Sequence, residues 1–144
     1  MALLLDTNVT SELRRSGRPE CAPAFRSWVA STDLSQAFVS VITVHEMTRG
    51  VLLSERKDAQ TGRVYRNWLE VVLDAFRGRI LDLTLDAVTV AATYHVPDPA
   101  PLADAFIAGI AAVNGLTVVT RNVDDFERFG VPVLNPWEPV QDST

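Results

Sequence analysis

Helices covering both faces of a parallel sheet of about five strands, a three-layer α/β/α domain, is the architecture that three features of this 144-residue chain predict. Short apolar runs such as Leu3-Leu4-Leu5, bounded by turn residues, read as strands buried on both faces, as in a parallel sheet. Segments of helical period separate these runs and imply right-handed crossovers. Polar and acidic residues follow the strands at once, at the carboxyl ends where open α/β sheets bind ligands.

Taken in order, Leu3–Leu5 is the first strand, and Asp6-Thr7-Asn8 after it suits a turn or a helix cap as well as a ligand site. Ser11 to Arg15 reads as a short helix ending near Gly17 and Pro19. Phe25, Trp28 and Val29 form a core-facing helical stripe, and Ala37 to Ser40 is a second strand. In the helix expected from Thr43 to Leu53, Thr43 and Glu46 fit a capping box, with Val44, Met47 and Val51 on one face. That places Glu46 on a first helical turn, again at the ligand-binding edge of the sheet.

Asp58 to Phe76 is expected as a longer amphipathic helix, its apolar stripe made of Val64, Trp68, Val71, Val72 and Ala75. Arg79 to Leu83 gives a third strand and Leu85 to His95 another helix; residues 97–101, Pro-Asp-Pro-Ala-Pro, form a rigid loop. The segment from Leu102 to Val113 has one polar side chain, Asp104, so it reads as a buried helix. Desolvating a lone carboxylate costs several kcal/mol. A helix N-terminus returns up to about 2 kcal/mol, so a metal or a hydrogen-bond network is expected around Asp104. Residues 115–120 make a fourth strand, Arg121 to Asp125 a polar turn before a short helix, and Val131 to Leu134 a fifth strand placed at an edge by Pro132. Asn135-Pro136-Trp137 closes a single domain over residues 1–137, and residues 138–144 are expected as a short tail.

With 47% hydrophobic residues the chain can bury a core, and no stretch is long enough for a membrane span, so a cytoplasmic protein is expected. Cys21 is alone, which excludes an internal disulfide or a multi-cysteine metal site, and His45 has no second ligand at metal spacing. A net charge of −5 argues against a general nucleic-acid binder. Its distribution weakens the objection. Twelve of the thirteen basic residues are arginine, suited to bidentate phosphate contacts, and Arg14, Arg15 and Arg18 form a patch near the end of the first strand. Part of the negative charge also falls where carboxylates could hold a divalent cation.

Such a sheet brings Asp6, Glu46, Asp104 and either Asp124 or Asp125 out at one edge. Four converging carboxylates repel unless cations hold them together, and all-oxygen ligation suits magnesium or manganese. The chemistry that follows is metal-assisted hydrolysis of a phosphodiester. An aspartate after the first strand also marks haloacid-dehalogenase-like phosphatases, but those need a second aspartate where this chain has Asn8.

The stations Leu-Asp-Thr-Asn-Val, Thr-Val-His-Glu-Met-Thr-Arg-Gly, Leu-Ala-Asp-Ala-Phe-Ile-Ala and Val-Thr-Arg-Asn-Val-Asp-Asp-Phe, in this order, resemble those of PIN-domain ribonucleases of the VapC toxin type, over residues 3 to 137. The resemblance implies a PIN-like fold and a Mg2+- or Mn2+-dependent endoribonuclease acting on transfer or ribosomal RNA. It further implies a homodimer, and a cognate VapB-type antitoxin that neutralises it in a larger toxin–antitoxin complex. Carried over by position, Asp6, Glu46, Asp104 and Asp125 are the catalytic and metal-binding acids, and Asn8, Thr43, Thr120 and Asn122 the polar residues supporting them. Arg14, Arg15 and Arg49 are candidates for contacting the RNA backbone. A PIN domain that binds without cutting is the alternative.

Overall fold

A computed structural model of the chain describes residues 1–139. Five parallel strands, β1 (Leu3–Leu5), β2 (Ala37–Ser40), β3 (Ile80–Leu81), β4 (Thr117–Val119) and β5 (Val133–Leu134), form one sheet in the order β3-β2-β1-β4-β5. β1 is central because its three leucines serve both faces. Leu3 and Leu5 join a core with Val9, Phe25, Val39, Met47 and Leu69, whereas Leu4 joins Ile107, Ile110, Val118 and Phe126 on the other side. Helices α1 (Thr7–Leu13), α2 (Pro23–Ser31), α3 (Val41–Lys57) and α4 (Ala59–Ala75) supply the first layer. The other layer consists of α5 (Leu85–Thr93), α6 (Leu102–Asn114) and α7 (Val123–Glu127). This is the predicted three-layer arrangement.

The chain adds β2 and β3 to one side of β1, then β4 and β5 to the other, so the winding reverses between β1 and β4. In open α/β sheets that reversal opens a crevice beyond the carboxyl ends of the strands. Asp6 and Thr120 are the first residues past those two ends, and the Asp6 amide donates to the Val119 carbonyl at 2.9 Å.

Several boundaries differ from the sequence expectation. The first helix begins at Thr7, four residues before Ser11, because Asp6 already caps it by accepting from the Thr7 amide. Ser40, the last residue of β2, caps α3 through a 3.2 Å bond from the Thr43 amide. The capping box of Thr43 and Glu46 therefore does not form, and Glu46 lies on the second turn of α3. The expected apolar stripe of α4 is also corrected. Val64 is 58% exposed and Val71 66% exposed, while Leu69, Val72 and the following Phe76 are buried. The reason is the α3–α4 contact, where Gly62 stands so close to Glu55 that a Cβ would lie 2.5 Å from its Cα. That approach fixes which side of α4 faces inward.

α6 packs on its neighbours through small residues. Ala105, Ala108 and Ala111 are fully buried, and a Cβ on Gly109 would meet the Ala87 carbonyl oxygen of α5 at 2.5 Å. The helix ends at Gly115, whose φ of +65° is the left-handed cap that lets the chain turn directly into β4. At the other end of the fold Trp137 packs on Phe25, ring centroids 4.8 Å apart. The expected tail from Glu138 lies mostly outside the described residues.

Candidate active site

Asp6 is buried and held by three donors. Oδ1 accepts from the Thr7 amide at 2.8 Å; Oδ2 accepts from Thr120 Oγ1 at 2.7 Å and from Asn8 Nδ2 at 3.3 Å. Burial raises its pKa, the bonds from Thr120, Thr7 and Asn8 lower it, and the nearby Glu46 charge adds a further upward push. The net direction is upward, so the fold keeps a carboxylate where it is costly.

Thr120, fully buried, links the two central strands: its hydroxyl also accepts from Asn8 Nδ2 at 3.4 Å and from the Asn122 amide at 3.0 Å. Asn8 Oδ1 in turn accepts from the Arg121 amide at 3.2 Å. Asn122 thus takes part through its backbone, as the residue before α7.

Glu46 reaches the cluster from α3. Its Oε1 accepts a 2.7 Å bond from Thr7 Oγ1, and the same hydroxyl lies 3.2 Å from that of the buried Thr43. Thr7 is therefore the residue that joins Glu46 to Asp6. No supporting role was expected for it. Its position between Asp6 and Asn8, in the first turn of a helix that faces α3, was the available signal.

Asp104 stands in the first turn of α6 and is half-buried. Burial, and then the charges of Asp6, Asp125 and Glu46, push its pKa up to about 6. No hydrogen-bond donor offsets this, so the network that was one expectation for Asp104 is absent among the described residues. Asp125 rather than Asp124 is the member of the acidic pair whose charge Asp104 feels. Asp6, Glu46 and Asp125 thus all act on Asp104 at the reversal point of the sheet, and Glu46 acts on Asp6 as well.

The Asp125 side of the site is braced by the proline-rich loop. Arg128 Nη2 donates to the Pro99 carbonyl at 3.2 Å, Tyr94 stacks on Phe129 with centroids 4.7 Å apart, and the Ala100 amide donates to His95 Nδ1 at 3.3 Å. These contacts tie the start of α6 to the end of α7.

Of the arginine candidates, Arg14 lies over the Tyr65 ring, 4.7 Å from its centroid, and lines a cavity of about 280 Å³ that also includes Thr7 and Glu46. Arg15 borders a second hollow with Arg14 and Arg18. Arg49 is exposed on α3 and is not among the side chains lining that cavity.

The all-oxygen donor set and its unrelieved mutual repulsion are chemically suited to a hard divalent cation. Among the described residues no three of His, Cys, Asp and Glu already stand at ligand spacing.

These features, a carboxylate cluster at the reversal point of a five-stranded parallel sheet, are those of a PIN domain, and the PIN-domain family profile matches residues 3–132. The chain belongs to that family. It is 35% identical over 144 residues to the plasmid stability protein StbB of Pseudomonas syringae pv. tomato, the alignment covering 94% of this chain and 99% of that one. It is 34% identical over 143 residues to the VapC ribonuclease Y4jK of Sinorhizobium fredii, covering 95% and 99%. The crystal structure of FitAcB from Neisseria gonorrhoeae superposes with a TM-score of 0.83 at 33% identity, covering 94% of this chain and 99% of that chain.

Proposed function

We propose that this protein is a toxin endoribonuclease that hydrolyses RNA phosphodiester bonds with the help of Mg2+ or Mn2+ and is neutralised by a cognate antitoxin. The ribonuclease and toxin assignments draw on relatives that carry those names and align over nearly their whole length. The solved structure of a toxin–antitoxin complex from Klebsiella pneumoniae, which shares the fold at 29% identity, supports the partner. The observation that carries the reading is that the charges of Asp6, Asp125 and Glu46 all act on Asp104, whose pKa burial first and then those neighbours push up to about 6.

In this reading Asp6, Glu46, Asp104 and Asp125 would hold the cation, which supplies charge screening for the phosphate and lowers the pKa of water. Asp6 is the fixed point, since its three donors leave it no freedom to move. Through Thr7, Glu46 is oriented toward the same crevice. Asp104, half-buried and without a hydrogen-bond donor, has its pKa pushed up to about 6 by burial and then by its acidic neighbours, and is suited to take the proton from the attacking water. Asn8, Thr43, Thr120 and Asn122 position the acids, and Arg14, Arg15 and Arg49 are proposed to contact the RNA. Transfer or ribosomal RNA is the proposed substrate and a homodimer the proposed assembly.

The test is incubation of antitoxin-free protein with total RNA and transfer RNA, with magnesium, manganese or chelator, alongside Asp6→Asn and Asp104→Asn. Discrete metal-dependent fragments absent from both variants are expected. Well-folded protein that binds its antitoxin and cuts no RNA would leave the non-catalytic binding module as the better reading.

A further inference from the structure

The cavity beside Glu46 extends away from the four acids between α1, α3 and α4. Met47 and Val51, both buried, give it an apolar interior, and Tyr65 and Trp68 of α4 line it. Its polar lining includes Ser11 and Ser54. The guanidinium of Arg14 already lies on the Tyr65 ring, and Trp68 lines the same cavity, so a cation and two aromatic systems border one space. Arg14 and Tyr65 also line the neighbouring hollow with Arg15, Arg18 and Glu20, so three guanidiniums against one carboxylate carry a net positive surface outward from the cavity.

We infer that this cavity is a nucleobase subsite, in which a base adjacent to the cleaved bond stacks against the Tyr65, Arg14 and Trp68 surfaces while the next phosphates run onto Arg15 and Arg18. The inference rests on the ribonuclease reading of the acids. Three features select RNA as occupant. Unpaired bases are recognised by stacking on aromatic rings and on guanidinium planes, with hydroxyls meeting their edges, and those are the groups present. At about 280 Å³ the space lies just below the range of small-ligand pockets, which starts near roughly 300 Å³, and suits one planar ring system. Thr7 and Glu46 belong to both the cavity and the acid cluster, so a base seated here is covalently one step from a phosphate at the acids. The positive rim complements a polyanion.

The chain has three tryptophans, so its indole N–H signals in a two-dimensional nitrogen–proton spectrum are few, and Trp68→Phe assigns the relevant one. Adenosine, guanosine, cytidine and uridine 5′-monophosphates are titrated into the full antitoxin-free chain, with ribose 5-phosphate as the probe that lacks a base. At least one nucleotide is expected to move the Trp68 signal, and ribose 5-phosphate to leave it in place. A Trp68 signal unmoved by all four nucleotides, or moved equally by ribose 5-phosphate, overturns the subsite. A signal moved only by a peptide from the antitoxin does so too, and gives the cavity to the protein partner.

On a cleaved oligoribonucleotide, Tyr65→Leu and Arg14→Gln are each expected to lower kcat/KM about tenfold, as loss of one stacked base does. That loss should vanish when an abasic ribose occupies the flanking position read by the cavity. A Tyr65→Leu defect that persists at full size with every abasic substrate contradicts the inference. If the chain cuts no RNA while a nucleotide still moves Trp68 selectively, the subsite stands and the proposed hydrolysis has failed on its own.

Discussion

Replacing Asp104 by asparagine should make the metal-free protein more stable at neutral pH and less stable relative to wild type once a divalent cation is added. The side chain keeps its shape and loses its charge, so the variant isolates the cost of that charge. In the fold the carboxyl is pushed from 3.8 to about 6, by burial first and then by Asp6, Asp125 and Glu46. A carboxyl whose folded pKa lies above its unfolded value contributes stability that is complete below the unfolded value and is lost as pH rises through the folded one. Wild type should therefore match the variant near pH 4 and fall behind it between pH 4 and 7. The undiscounted shift would be worth about 3 kcal/mol. Asp104 is only half-buried and sits in the first turn of α6, so screening and the helix N-terminus reduce this to about 1–2 kcal/mol. For a chain of this length that is a rise in Tm of about 3–6 °C, readable by thermal melts of both proteins across pH 4 to 8. Magnesium at 10 mM, against sodium chloride of equal ionic strength, should then raise the Tm of wild type more than that of the variant. Equal Tm values at every pH, or a variant less stable at pH 7.5 without metal, would refute the argument that Asp104 is held at a cost.

Three further outcomes follow from the geometry. Asp125→Asn should weaken manganese binding, followed by isothermal calorimetry, at least tenfold, and Asp124→Asn less than threefold, because only Asp125 acts on Asp104. Gly109→Ala should destabilise by about 1–3 kcal/mol in urea melts despite the better helix propensity of alanine, since its Cβ would press on the Ala87 carbonyl at 2.5 Å. Thr7→Val, which removes the hydroxyl between Glu46 and the buried Thr43, should cost about 1 kcal/mol of stability and lower RNA cleavage more than it lowers RNA binding.

The strands and the order of the acids were legible because buried parallel strands leave continuous apolar runs and because each run is followed by polar residues. Leu3–Leu5 and Ala37–Ser40 lie where periodicity places them. Helix starts were less legible where two capping residues competed. Ser40 stands at the end of β2, so its hydroxyl reaches the Thr43 amide before Thr43 can cap a helix of its own. The face of α4 was misjudged because Val64 and Val71 satisfy a helical period as well as Leu69 does, and only the close approach at Gly62 decides between them. Thr7 carried no sequence signal beyond its place between Asp6 and Asn8, because its bond to Glu46, 39 residues away, depends on the crossing of α1 and α3. The residues alone left Asp124 and Asp125 open and the family resemblance favoured Asp125, which is the one of the pair whose charge acts on Asp104.

The acids differ in what the fold does for them, and that difference bears on how the site works. Asp6 receives three donors, which fix its carboxyl in place and offset part of the cost of burying it. Asp104 receives none, yet it projects from a helix that is otherwise apolar and closely packed through Ala105, Ala108 and Gly109. Nothing in the packing of α6 requires a carboxylate there, and an alanine would remove the desolvation cost altogether. Local rules are broken in this way mainly where function supplies the compensation. The uneven treatment also divides the labour: a fixed carboxylate sets the position of whatever binds, and an unsatisfied one gains most when it does. Binding of a cation, or of a positively charged side chain from a partner, should therefore be felt most strongly at Asp104.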